Sequence, residues 1–250
     1  RGEAGSTAQM STDGFLDAWS ADSKDYKPGD QAWYTHFRIG RVAPERYEGS
    51  QFPEGDAAQN QFFRQMTPNT GDFDQAVAAA ALGEVMKDVQ TLTGHKSIFV
   101  THSQGGTVGW FTLRKTKNIR AIVSYEPGGQ VPFPEGQVPQ EGQYVTRSNT
   151  SEGIEVSMDV FMGYTKIPIL IYYGDNLPET DERPELYEWT RRLHLMRKWA
   201  ALLNEYGGDA TVIHLPEIGL HGNTHFPFSD LNNVEVADHL SKWLYEKNLD

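Results

Sequence analysis

Four short apolar runs stand out along the chain: Ser97–Thr101, Ala121–Tyr125, Pro168–Tyr173 and Ala210–Leu215. Each is rich in β-branched or aromatic residues and ends in a polar or glycine-containing turn. Continuous apolar runs of this length, without in-out alternation, fit strands of a parallel sheet covered on both faces. Between and after them the spacing turns helical. Ala76–Leu92 carries Val77, Leu82, Val85, Met86 and Val89 on one stripe and is closed by Gly94. Thr107–Lys115 follows the first strand. Pro184–Tyr206 places Trp189, Leu193, Met196, Trp199 and Leu203 together and ends at Gly207-Gly208, and Asn232–Lys247 aligns Val236, Ala237, Leu240 and Leu244. Strands that alternate with helices in this order predict an α/β protein with a mostly parallel sheet.

Two stretches break that rhythm. Residues 1–72 hold no convincing strand but many aromatics, among them Trp33, Phe37, Phe52 and Phe62. Residues 127–165 are rich in Gly, Pro and Gln. The expected organisation is one domain over residues 1–250, with cap-like insertions at about 7–72 and 127–165 that pass over the strand ends, where such folds build pockets.

Composition narrows the function classes. A chain of 250 residues can bury a core of its own. No apolar run reaches the ~18 residues of a membrane span. The formal net charge of −12 argues against nucleic acid and anionic membrane surfaces as partners. Without cysteine there is no disulfide, thiolate metal site or cysteine nucleophile. Asn149-Thr150-Ser151 fits a glycosylation acceptor, a triplet common by chance, and a chain that opens at Arg1 without Met reads as a processed or truncated product. A secreted or periplasmic location is expected.

The segment from Ser97 to Thr107 carries the chemistry. A buried strand runs directly into Ser103, Gly105 and Gly106 follow, and a helix begins at once. This is the layout of the nucleophile elbow of α/β-hydrolases, with Thr101 where the usual pattern has Gly. A tight turn lifts the hydroxyl of Ser103 clear of the sheet, small neighbours let strand and helix pass closely, and the helix start offers N–H groups to a developing oxyanion. The main-chain N–H of Gln104 is the first such donor.

A serine hydroxyl needs a base, and in this fold the base follows the last strand, with the acid between it and the nucleophile in chain order. The loop Pro216–Phe226 offers both His221 and His225. Their four-residue spacing does not make a metal site, because Gly222 interrupts any helix and no HExxH motif is present. For the acid there are again two candidates: Asp175 after the third strand and Glu126 after the second. Pattern alone slightly favours Asp175.

Three motifs taken together change that weighting. Thr101–Gly106, Ala121–Gly128 and the stretch from Leu215 through Asp230-Leu231-Asn232-Asn233 to Asp238 resemble a small group of bacterial α/β-hydrolase esterases of the Alcaligenes type. In that group the triad acid is a Glu just after the strand that follows the nucleophile. The resemblance covers most of the chain from about residue 97 and, more loosely, Gln51-Phe52-Pro53. It implies Ser103 as nucleophile, Glu126 as acid and His225 as base, with no cofactor. This chain departs from the group at Gly105, where the group has Ser, and in a longer insert after Glu126.

The expected activity is therefore cleavage of a small carboxylic ester through an acyl-enzyme on Ser103. The same three groups also suit an amidase, peptidase or acyltransferase, and the fold is shared by lyases and binding proteins. Four strands are too few for this architecture, in which the nucleophile strand is central. The opening Arg1-Gly2-Glu3-Ala4-Gly5-Ser6 looks like the turn that follows an earlier strand. A preceding N-terminal segment, either a cleaved fragment that stays bound or residues outside this sequence, is accordingly expected to complete the sheet and supply the second oxyanion donor. A second copy of the chain is a further candidate partner.

Overall fold

The computed structural model describes residues 32–55, 57–59, 62, 74–140, 144, 152–180 and 184–250. Asn149, the Arg1–Ser6 turn and most of the aromatic-rich N-terminal stretch lie outside these residues. The central sheet is parallel and runs in the order β3-β4-β7-β8: β3 (Ser97–His102), β4 (Ile119–Tyr125), β7 (Pro168–Tyr173) and β8 (Asp209–His214). These are the four predicted strands, with ends moved by one or two residues.

Alternation of side chains across the pleat divides each strand between two cores. Ile119, Ile122, Ile169, Ile171 and Tyr173 face one cluster, which α3 (Gly105–Leu113) and α5 (Pro184–Glu205) close with Trp110, Trp189, Leu193, Met196, Trp199 and Leu203. Ala121, Val123, Tyr125, Leu170 and Tyr172 face the other, closed by Val236 and Trp243 of α6 (Asn233–Glu246). Burial on both faces is why β4 and β7 read as unbroken apolar runs, whereas β3 and β8, at the two ends of the strand order, are mostly half-buried.

Helix α2 (Gln75–Thr93) is capped as its sequence demands. The Asp74 carboxylate accepts from the N–H groups of Ala76 and Val77 at 2.9 and 3.0 Å, and Gly94 leaves the helix at φ 77°. Its predicted apolar stripe is only half covered. Leu82, Met86 and Val89 are half-buried, but Val77 and Val85 are 64% and 49% exposed. The reason lies in the sheet: among the described residues β3 is paired on one side only, and its Val100 is 54% exposed.

The two irregular stretches contain short elements that the pattern did not predict. Before α2 lie α1 (Ala32–His36) and a small antiparallel hairpin of β1 (Gly40–Val42) and β2 (Glu45–Arg46). These strands are too short for a periodic signal. In the second stretch β5 (Val131–Pro134) and β6 (Gly153–Val156) pair in parallel, and α4 (Met158–Tyr164) follows. Pro132 and Pro134 argue against a strand in the sequence, yet in a two-stranded ladder each strand has a free edge that tolerates a missing donor. Helix α4 buries Phe161 and Tyr164, and the Tyr164 hydroxyl donates to the Trp110 carbonyl at 3.0 Å.

Candidate active site

Ser103 sits between β3 and α3 with φ 54°, in the left-handed region that a side chain rarely adopts. Its N–H donates to the Tyr125 carbonyl at 3.0 Å, and its own carbonyl accepts from Gly106 and Gly128 at 2.9 Å each. Three backbone bonds thus hold the strained turn between two strand ends. Gly106 is required by the close approach of the next loop, since a Cβ there would lie 2.5 Å from Cβ of Pro127.

From that turn a continuous hydrogen-bonded chain runs inward. Ser103 Oγ lies 2.9 Å from His225 Nε2, and His225 Nδ1 lies 2.5 Å from Glu126 Oε2. Both His225 and Glu126 are fully buried, and Ser103 is 8% exposed. Glu126 leaves β4 with φ 44°. This second left-handed residue in the site swings the carboxylate beneath the imidazole. Strain of about 1–3 kcal/mol per residue persists only where the surroundings over-determine the backbone. Here the Glu126 N–H donates to the Tyr172 carbonyl at 2.7 Å.

The inner oxygen of the carboxylate is held as firmly. Glu126 Oε1 accepts from the N–H of Gly174 at 2.6 Å and from Nη2 of Arg38. Gly174 admits no side chain, because a Cβ would lie 2.5 Å from the Thr224 carbonyl oxygen. Burial alone would raise the pKa of Glu126. The Arg38 charge and the His225 bond outweigh it and hold the carboxyl well below its ordinary range. Burial also pushes His225 well below its usual value, against the pull of Glu126, so the imidazole is neutral and free to accept a proton at Nε2.

Aromatic rings enclose His225. Phe37 stacks on the His225 ring at 5.2 Å and 4° from parallel, Trp189 lies 4.3 Å from it, and His102 lies 4.6 Å away. The loop that carries the base is pinned at its root by Asp230. That buried carboxylate accepts from the Thr224 N–H at 2.7 Å, the Thr224 hydroxyl at 2.8 Å and the Asn223 amide at 3.3 Å. Burial raises its carboxyl to about 6, against the lowering effect of those three bonds.

The alternative candidates lie elsewhere. Asp175 Oδ2 accepts from the N–H of Gly222 at 2.7 Å, so Asp175 braces the loop of the base and does not contact the imidazole. His221 is 68% exposed and its Nδ1 lies 3.6 Å from Asp175. Gln104 stands at the N-terminus of α3 with its side chain exposed. Sequence reasoning gives Arg38 and Asp230 no place in the site and places Trp189 only on the apolar stripe of its helix. Asp230 falls within a quoted motif but was given no role, and Arg38 stands in a stretch without a strand or helix signal to place it. Among the described residues no group of three or more His, Asp or Glu is arranged to hold a metal ion.

A parallel sheet with helices on both faces, a strained serine turn and a His–Glu pair beneath it define an α/β-hydrolase fold. In structure the chain is similar to a bacterial esterase solved at atomic resolution, with a TM-score of 0.66 and 26% identity over 86% of this chain and 57% of that one. In sequence it is 26% identical over 167 residues to the probable secreted lipase phiG of Fungal sp. (strain ATCC 74256), which is 59% of this chain and 45% of the relative. The likeness to bacterial esterases expected from three short motifs is thus borne out. The chain spans about half the length of these two proteins. No family model matches it.

Proposed function

We propose that this chain is the catalytic part of a serine esterase that cleaves small carboxylic esters. The observation that carries the reading is the unbroken series from Ser103 Oγ through His225 to Glu126, at 2.9 and 2.5 Å. Ser103 Oγ attacks the ester carbonyl carbon while His225 Nε2 takes its proton. The tetrahedral oxyanion faces the N–H of Gln104 at the start of α3, where the helix end favours negative charge. The intermediate collapses, the C–O bond to the alcohol breaks, and His225 returns its proton to the departing oxygen. Water, deprotonated by the same nitrogen, then releases the acid from Ser103. Throughout, Glu126 stays ionised, fixes the proton of His225 on Nδ1 and stabilises the imidazolium.

The names of the two similar proteins, an esterase and a lipase, support an ester over an amide. The fungal relative's description as secreted supports an extracellular or periplasmic location, and among the described residues no helix is long and apolar enough to cross a membrane. Among the described residues β3 has an open edge, and with the exposed Val77, Val85, Leu92 and Val100 beside it this supports a further polypeptide segment that completes the sheet and brings the second oxyanion donor. Turnover of a chromogenic short-chain ester, compared between the protein and Ser103→Ala, tests the reading. Full activity in the variant would overturn it.

A further inference from the structure

Arg38 is the unexplained feature of the site. It is a fully buried arginine, 0% exposed, in a segment with no sequence signal, and its backbone sits at φ 60°. Nη2 donates to Glu126 Oε1, and Nε donates to the Asp175 carbonyl at 2.8 Å. Its Nη1 has no hydrogen-bond partner among the described residues, and the guanidinium carbon lies 5.6 Å from the centre of the Trp189 ring. A buried guanidinium is costly and adds little net stability to a fold, since apolar packing of the same volume does as well or better. The preceding residue works on the same triad: the Phe37 carbonyl accepts the N–H of His225 at 3.0 Å, and its ring lies flat on the imidazole.

We infer that Arg38 is a positioning residue for catalysis, resting on the serine-esterase reading above: with Gly174 it grips the inner oxygen of Glu126, so that the outer oxygen stays ionised and in line with Nδ1 of His225. Phe37 and Arg38 together form a clamp that takes hold of base and acid from adjacent positions. The geometry divides the carboxylate's work. Oε1 is spent on Gly174 and Arg38, and Oε2 is left for the imidazole. A lysine could supply the charge, but only from a single nitrogen and not from two separate nitrogens of a planar fork, here Nε to the Asp175 carbonyl and Nη2 to Glu126.

The groups that face this pair fix what its loss does. Around Glu126 and His225 stand Arg38, His102, Tyr173 and Asp230. Arg38 lowers both the Glu126 carboxyl and the His225 imidazolium, and His102 also lowers the latter. Tyr173 stays neutral, because burial raises it well above its ordinary value. Removal of the guanidinium therefore moves both members of the pair upward, and the acid limb of the activity profile moves the same way. An opposite charge at this range shifts a carboxyl by about 1–3 pH units.

The test is the pH profile of kcat/KM for Arg38→Met and Arg38→Lys on a chromogenic ester. The expected result for Arg38→Met is an acid limb moved to higher pH, a loss in kcat of up to roughly 10²-fold and little change in KM. Arg38→Lys is expected to lie between the two and carries the test alone if Arg38→Met does not fold. A second readout needs no activity: the proton of His225 Nδ1, observed by NMR in Ser103→Ala protein, is expected to lose its downfield position when Arg38→Met is added. An unchanged acid limb, whatever happens to kcat or Tm, would overturn the role of Arg38, as would an unchanged Nδ1 proton. Retained activity in Ser103→Ala would instead count against the esterase reading, and the NMR readout would still decide on Arg38.

Discussion

Replacing Glu126 by Gln separates the two candidate acids and gives two numbers to check. The substitution keeps the shape of the side chain and removes its charge. Arg38 then stands buried without a counter-ion, since both partners are 0% exposed. Leaving one member of a buried pair uncompensated costs about 3–5 kcal/mol. In a chain of 250 residues each kcal/mol moves Tm by about 2–4 °C, so a fall of roughly 6–20 °C is expected. The effect on rate comes from the imidazole. If the amide NH2 faces Nδ1, the ring must carry its proton on Nε2 and can no longer accept one from Ser103. If the amide oxygen faces it, the tautomer is kept but the imidazolium has no charge opposite it. Loss of the corresponding charge in a serine triad costs about 10⁴ in kcat. Asp175→Asn keeps an acceptor for the N–H of Gly222 and touches no triad atom, so its cost is expected at about 1 kcal/mol with activity within tenfold of the unaltered protein. Thermal melts and steady-state ester hydrolysis on both variants give the comparison. Near-normal kcat in Glu126→Gln, or a larger loss in Asp175→Asn, would refute the assignment of the acid.

His225→Ala should match Ser103→Ala in lost activity, while His221→Ala, at an exposed side chain, should stay within a fewfold of normal kcat. Ser103 pays backbone strain at φ 54° that Ala keeps and Gly relieves, so Ser103→Gly should be about 1 kcal/mol more stable than Ser103→Ala by chemical denaturation. Asp230, raised from 3.8 to about 6, binds its proton more tightly when folded. Its share of stability is therefore present at low pH and lost as pH rises through that window. Asp230→Asn removes this opposing slope, so stability should climb more steeply with pH across the window than in the unaltered protein, and an unchanged slope would count against the titration. For β3, whose edge is open among the described residues, intact mass under denaturing conditions and sedimentation of the active material should reveal polypeptide beyond this sequence, in a longer chain or in a second one. A fully active monomer of this chain alone would contradict that expectation.

The sheet was legible because β4 and β7 are buried on both faces and therefore apolar throughout, and β3 and β8 each turn apolar residues toward the cores. The elbow was legible because Ser103 is bracketed by a strand and a glycine-started helix. The choice between Glu126 and Asp175 was not open to pattern, since both leave strand ends at neighbouring positions in the sheet. What separates them is the left-handed backbone at Glu126, which no local signal announces in a Tyr-Glu-Pro-Gly segment. Arg38 was hidden for a different reason. Its partners Glu126 and Asp175 lie 88 and 137 residues away, and nothing in the neighbouring sequence shows a buried charge. The stripe of α2 misled because it describes what the helix can bury, while Val77 and Val85 are exposed beside β3, the last strand on that side among the described residues.

Covalent labelling tests the central claim most directly. The protein is treated with an alkyl fluorophosphonate, and the modified residue is located by peptide mass spectrometry. The expected result is one adduct per chain on Ser103 Oγ, formed in step with loss of ester hydrolysis and strongly slowed in His225→Ala. Ester hydrolysis that persists with Ser103 fully labelled, or that is lost through an adduct elsewhere in the chain, would contradict the account.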